Sequence, residues 1–218
     1  MRMRPKKNRE SRLEKVSYLF AKTDEEGKLD ISSTFSENQK EKLYIEIGCG
    51  KGAFVTELSK RNPGVNIVAI ERVSDVLMMA MEKADREGCV NIAFLNENAD
   101  KIDIILPEKS VDKLYLNFSD PWPRKKNAKR RLTSPMFLER YKRILKDGAR
   151  IYFKTDNTDL FEYTLETLNA AGFICENITN DLHASLMNET NIETEYERSF
   201  SALGYKINYL EAFLNCHI

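Results

Sequence analysis

The chain predicts an α/β fold, a mostly parallel sheet with helices on both faces. Three observations predict it. Strand-like apolar runs alternate with amphipathic helical stretches from Leu43 almost to the end. The first strand runs straight into a glycine-rich turn, Gly48-Cys49-Gly50-Lys51-Gly52, and a helix follows. The 218 residues, 42% hydrophobic and 31% charged, suffice for one domain with a full core.

The elements follow in order. Residues 1–40 are polar, with weak periodicity; they read as a basic arm and lead-in, with a short helix near 34–42. The folded domain spans 41–218. Leu43–Ile47 is a short apolar run ending in glycines, hence a buried strand. A helix over 53–61 puts Phe54, Val55 and Leu58 on one face, and Asn62-Pro63-Gly64 ends it. The second strand is 66–70. Ser74 is the expected N-cap of a helix to 87, closed by Gly88. Strands at 91–95 and 113–118 come next. Ser134-Pro135 opens a helix to 146, which Gly148 ends. The remaining elements are a strand at 150–154, a helix at 158–171, a strand at 173–178 and a last strand at 205–213.

Totals exclude several classes. Net charge is zero, but the layout is polarised. Residues 1–15 hold seven Lys/Arg against two Glu, and residues 122–132 hold six Lys/Arg and no acid. Such a layout still presents a basic face. The four cysteines are far apart, none at CxxC spacing, and there are two histidines, so no metal site is expected. Scattered thiols fit a reduced, cytoplasmic setting. The basic start has no apolar stretch behind it, and no run reaches the length of a membrane span, so no membrane association is expected.

Ligands of such sheets bind at the carboxyl ends of the strands. The first strand ends in Glu46-x-Gly48-x-Gly50-x-Gly52. A pyrophosphate-binding turn takes G-x-G-x-x-G. Here the third glycine comes one residue early, and an acid stands two residues before the first. A carboxylate there suits a cationic ligand, and S-adenosylmethionine carries both a sulfonium and an ammonium. At the end of the second strand Glu71 can accept both ribose hydroxyls. After the third strand Asn98 can read the adenine edge, because an amide both donates and accepts. Together these three strand ends resemble the class I S-adenosylmethionine-dependent methyltransferases, over about residues 43–213. That resemblance implies a Rossmann-like, seven-stranded sheet with an antiparallel last strand.

The fourth strand leads into Asn117-Phe118-Ser119-Asp120-Pro121-Trp122-Pro123. Two prolines stiffen a strand end that carries Asp120. Arg124, Lys125, Lys126, Lys129, Arg130 and Arg131 follow, a cluster suited to phosphate contacts. Trp122 can stack on a base or pack in the core. These strings, with Lys154-Thr155-Asp156-Asn157 and Thr194-Glu195-Tyr196-Glu197, resemble the bacterial tRNA (guanine-N7-)-methyltransferase family. The resemblance implies methylation of the guanine at position 46 of tRNA, with S-adenosylhomocysteine as the other product and no metal. It implies cofactor contacts at Glu46, Glu71, Asn98 and Asp120, with Asp120 catalytic. It implies substrate contacts at Arg124, Asp156, Thr194, Glu195, Tyr196 and Glu197. Gly48 and Gly50 belong to the cofactor turn, and Lys126, Lys129, Arg130 and Arg131 to a basic loop on the RNA. Arg124 stands where many members have Lys, and Asn127 replaces a common His.

The chemistry agrees. Guanine N7 has a lone pair and no proton, so the task is alignment rather than base catalysis. Asp120 can stabilise the charge that develops on the base. Glu197 or Asp156 can accept from the guanine N1–H and N2–H2 donors. The arm from Arg2 to Lys15 is expected to be disordered alone and to order on tRNA. Alternatives are a methyltransferase for another RNA base or a small molecule, and a non-enzymatic RNA-binding module; a dehydrogenase has the wrong glycine spacing. The protein is expected to be a monomer or a homodimer.

Overall fold

The computed structural model describes residues 8–36 and 39–214. Among these, seven strands form one sheet: β1 (Leu43–Ile47), β2 (Asn66–Ile70), β3 (Ile92–Leu95), β4 (Val111–Asn117), β5 (Leu145–Thr155), β6 (Phe173–Thr179) and β7 (Asn208–Leu214). Their order is β3-β2-β1-β4-β5-β7-β6. β7 runs antiparallel to β5 and β6, and the other pairings are parallel. The expected fold class is therefore the observed one. The strand order reverses between β1 and β4, which opens a ligand crevice at their carboxyl ends.

Eight α-helices accompany the sheet in the described residues: α1 (Arg9–Val16), α2 (Ile31–Thr34), α3 (Ala53–Arg61), α4 (Ser74–Arg86), α5 (Ile102–Ile105), α6 (Pro135–Ile144), α7 (Thr158–Ala170) and α8 (Glu195–Ser201). The core has two layers because strand side chains alternate. Ile45, Ile47, Leu114, Leu116 and Phe153 pack with Phe137, Tyr141 and Phe161 of α6 and α7. Tyr44 and Tyr115 point the other way and pack with Phe54, Val55, Leu77 and Met81 of α3 and α4. By the same alternation Glu46, Asn117 and Lys154 lie on the α3/α4 face, at the strand ends.

Most boundaries differ from the sequence reading by one to three residues, and three of the differences have a clear local reason. The first short helix is Ile31–Thr34, not 34–42, because Asp30 caps it: its Oδ1 accepts from Ser33 N at 3.0 Å. Ser74 is the first residue of α4 rather than its cap, and its hydroxyl instead accepts from Arg9 at 2.7 Å. β5 begins at Leu145, before Gly148, because that glycine (φ 77°) lies in a stretch where the β4–β5 register jumps.

The arm is the larger difference. Residues 1–7 lie outside the described residues, but α1 is a helix docked on α4. Arg9 Nε meets Asp75 at 2.7 Å, Arg12 binds Glu82 through two nitrogens, and Val16 and Leu19 are buried. Phe20 then bridges to Phe94 of β3. Buried apolar anchors and paired arginines hold residues 9–19 against the rest of the fold.

Candidate active site

The turn after β1 shows what each glycine is for. Gly48, Gly50 and Gly52 all have positive φ. A Cβ on Gly48 or Gly50 would meet nothing within 4 Å, so both face open space where a ligand can approach. Gly52 differs: a Cβ there would lie 2.8 Å from Ala80 Cβ and 2.9 Å from Ala80 Cα. Its role is to let α3 start against α4. Gly52→Ala is therefore expected to cost about 2–4 kcal/mol, from overpacking plus left-handed strain. A denaturant midpoint equal to the parent's would show that α4 simply backs away.

Glu46, at the end of β1, is only 2% exposed. Its Oε1 accepts from Asn117 Nδ2 at 2.9 Å, while Oε2 is buried with no partner. Burial pushes its pKa up to about 8, although Asn117 and the nearby Lys154 ammonium pull it down. Asn117 Oδ1 and Ser119 Oγ are likewise buried without partners. Three orphaned polar atoms at the ends of the neighbouring strands β1 and β4 form the kind of cradle that a polar cationic ligand would complete.

The crevice is a cleft of about 850 Å³ lined by Gly48, Glu71, Asn98, Asp120, Lys129 and Arg130, among others. Neither Glu46 nor Gly50 lines it directly. Glu71 is preset by its own loop and by the glycine turn: Oε1 accepts from Val73 N at 2.9 Å and Oε2 from Gly50 N at 3.3 Å. Asn98 is exposed, with its amide turned to Asp100: Nδ2 donates to Oδ2 at 2.9 Å. Reading a base edge would draw Asn98 away from that contact. Asp100, Arg72 and Arg140 also line the cleft, and the sequence reading does not single them out. The position of Asp100 in the loop after β3 is the signal that could have found it.

Asp120 stands at the mouth, exposed, with Arg72 Nη2 3.7 Å from its Oδ2. Its loop is held under strain: Phe118 (φ 50°) and Trp122 (φ 42°) both have left-handed backbones that non-glycine residues avoid. The hold comes partly from Arg131, whose guanidinium donates to the Pro121 and Trp122 carbonyls at 3.0 and 3.3 Å. Arg131 also covers the Tyr163 ring at 4.2 Å. The sequence places it among the RNA contacts; its donors serve the Asp120 loop instead. Arg124, Lys126, Lys129 and Arg130 remain exposed, and Arg130 covers the Trp122 ring at 4.8 Å.

The 194–197 segment calls for a correction. The sequence offers Glu197 or Asp156 to read the base, but Glu197 is fully buried. Its Oε1 is engaged by His183 Nε2 at 2.9 Å and Asn191 Nδ2 at 2.8 Å; its Oε2 accepts from Lys154 Nζ at 2.6 Å and Thr194 N at 3.3 Å. No lone pair is left for guanine. Thr194 caps α8, its hydroxyl accepting from Glu197 N at 2.9 Å, so Thr194 and Glu197 form a reciprocal capping box. Glu195 pairs with Lys83 of α4 at 2.6 Å. Tyr196 is exposed and donates to Asp156 Oδ2 at 3.1 Å. The structure thus brings Asp156 and Tyr196 together, and leaves Asp156 as the accessible carboxylate.

Residues 40–210 match a family model described as "Putative methyltransferase". The tRNA (guanine-N(7)-)-methyltransferase of Lachnoclostridium phytofermentans is 46% identical over 171 residues, 78% of this chain and 80% of that protein. Its counterpart from Macrococcus caseolyticus is 44% identical over 175 residues, 80% and 83% of the two chains. The chain belongs to the tRNA (guanine-N(7)-)-methyltransferase family. At the level of fold, the 16S rRNA methyltransferase KamB superposes with a TM-score of 0.63 at 14% identity, over 89% of this chain and 95% of that one. An antibiotic-related methyltransferase gives 0.60 at 17%, over 83% and 92%. No group of His, Cys, Asp and Glu among the described residues could hold a metal, and no described helix is long and apolar enough to cross a membrane.

Proposed function

We propose that the chain transfers the methyl group of S-adenosylmethionine to N7 of guanine 46 in tRNA. The observation that carries this reading is one continuous cleft lined both by the acids and amides Glu71, Asn98 and Asn117 and by Asp120, Trp122, Lys129 and Arg130. Glu46, Asn117 and Ser119 would receive the amino-acid part of the cofactor, since their buried polar atoms lack partners. Glu71 would accept the ribose hydroxyls, and Asn98 would meet the adenine. The cofactor supplies a methyl group already activated on a sulfonium.

The protein's own residues then have an orienting task. Asp120 holds the guanine by its exocyclic donors and faces the positive charge that methylation leaves on the ring. Arg124, Lys126, Lys129 and Arg130 hold phosphates, which fixes the RNA without reading its sequence. Asp156 can accept from the Watson–Crick edge. N7 needs no deprotonation, so no histidine or cysteine is required in the cleft.

The test is incubation of the protein with labelled S-adenosylmethionine and an unmodified tRNA transcript, followed by cleavage mapping of 7-methylguanosine. Label at guanine 46 is expected, and a transcript with adenine at 46 should stay unlabelled. Label at another guanine would move the site, and label on another atom would end the reading.

A further inference from the structure

Lys154 is a buried cation that the reaction does not explain. It ends the core-facing part of β5, with its side chain 4% exposed. A lysine ammonium has three donors. Here all three are used: Glu197 Oε2 at 2.6 Å, the Ile192 carbonyl at 2.8 Å and Asn191 Oδ1 at 3.1 Å. The Phe54 and Phe118 rings flank it, with centroids 5.3 and 6.0 Å away. Its backbone carbonyl accepts from Phe118 N at 2.8 Å.

Those partners belong to separate parts of the site. Phe54 opens α3 behind the glycine turn. Phe118 begins the Asp120 loop and lies 5.0 Å from the Tyr196 ring of α8. Asn191, Ile192 and Glu197 carry the segment that presents Thr194 and Tyr196. Lys154 also sits across from Asn117 in the β4–β5 register, and Asn117 is the residue that donates to Glu46.

We infer that Lys154 is a positioning residue for methyl transfer: its buried ammonium pins the 191–197 segment against the Asp120 loop and places positive charge beside Glu46. This rests on the proposed assignment of Glu46 to the cofactor and on the expectation, implied by the family resemblance, that the segment carrying Tyr196 meets tRNA. Burying a lysine and a glutamate for stability alone is poorly explained, because apolar residues in such places are often as stabilising or more so. The charged groups facing Glu46 are Lys154 from β5, Glu71 from the end of β2 and, as titratable neutral groups, Cys49 from the turn and Tyr115 from β4. Lys154 is the cation among them. Without it Glu46 would hold its proton to higher pH and meet the cofactor's ammonium less often as a carboxylate.

The test compares the full-length parent with Lys154→Met, Glu197→Leu and the double variant. Melting temperature, S-adenosylhomocysteine affinity and tRNA methylation kinetics are read for each. Lys154→Met is expected to lose about 100-fold in kcat/KM for tRNA and about 10-fold in S-adenosylhomocysteine affinity near pH 7. The affinity gap to the parent should narrow as pH rises above about 8, where Glu46 is already ionised in the parent and ionises later in the variant. The double variant should melt above either single variant, because no buried charge is left unpaired, but should not recover the parent's kcat/KM. A double variant within about three-fold of the parent in kcat/KM would make the pair merely structural and overturn the inference. Should the apolar pair not fold, Lys154→Gln decides, since it keeps amide donors but no charge. The same losses are expected of it, and parent-like kinetics with a parent-like pH profile would overturn the inference. A parent that binds no S-adenosylhomocysteine would instead sink the underlying site assignment.

Discussion

Asp120→Ala is expected to fold like the parent and to lose about 10²–10³-fold in kcat/KM for tRNA methylation. The folding half follows from exposure. Asp120 has a side chain that is 67% exposed, and its one ion pair among the described residues, to Arg72, spans 3.7 Å, so its removal should change stability by less than about 0.5 kcal/mol. The catalytic half follows from the reaction. N7 attacks with a lone pair it already has, so rate depends on alignment and on how well the growing ring charge is met. Asp120 is the acid at the cleft mouth in a loop fixed by two prolines, two left-handed residues and Arg131. Strain kept at such a place is usually there to hold a group where solvent and entropy would not leave it. Asp120→Asn separates the two contributions. It keeps an acceptor for the exocyclic donors and removes the charge, so it should fall between the parent and Ala. S-adenosylhomocysteine binding and melting temperature are the controls. Turnover within about three-fold of the parent for the Ala variant would remove Asp120 from the chemistry.

The fold is legible where short-range physics decides it. β1, β2 and α3 are read to the residue, because glycine, proline or asparagine stands at or beside a border of each and each keeps a clear apolar pattern. α1 is not legible. Its docking depends on Arg9 and Arg12 finding Asp75 and Glu82, some 66 and 70 positions away, and on two apolar anchors too few to show a period. The site divides the same way. Glu71, Asn98 and Asp120 are visible because strand ends are a shortlist that topology provides, and the cleft does gather them. Glu197 is misread for want of a local test that the sequence offers: a threonine three residues before a glutamate at a helix start is a capping pattern, and a carboxylate used that way has little left to offer a ligand. Lys154 has no local signal at all, since its main partner lies 43 positions further on. Arg131 looks like its neighbours in a basic run. Only the path of the chain shows that its donors point inward, to the loop it follows.

Glu46→Gln should make the cofactor-free protein more stable at alkaline pH while weakening S-adenosylmethionine binding by about 100-fold. Folding raises the Glu46 pKa from 4.5 to about 8, with burial as the chief cause. The sign follows from proton binding. Between those two values the folded chain holds a proton that the unfolded chain has released, so rising pH works against folding. The penalty is absent below about pH 4, grows from there to about pH 8 by roughly 1.4 kcal/mol for each pH unit, and is constant above. Glutamine carries no such proton and keeps an acceptor for Asn117. The difference in unfolding free energy between variant and parent should therefore rise in favour of the variant as pH goes from about 5 to about 9. Taking the difference cancels the tyrosines and cysteines that titrate in both. The same buried carboxylate is the natural counterion for the cofactor's ammonium, and an amide cannot supply that charge. Saturating cofactor should reverse the order, stabilising the parent more than the variant, because only the parent converts its penalty into a binding contact. Denaturant titrations across pH, with and without S-adenosylmethionine, read both halves at once. A stability difference that stays flat with pH would place the Glu46 proton elsewhere, and equal cofactor affinity would remove Glu46 from the site.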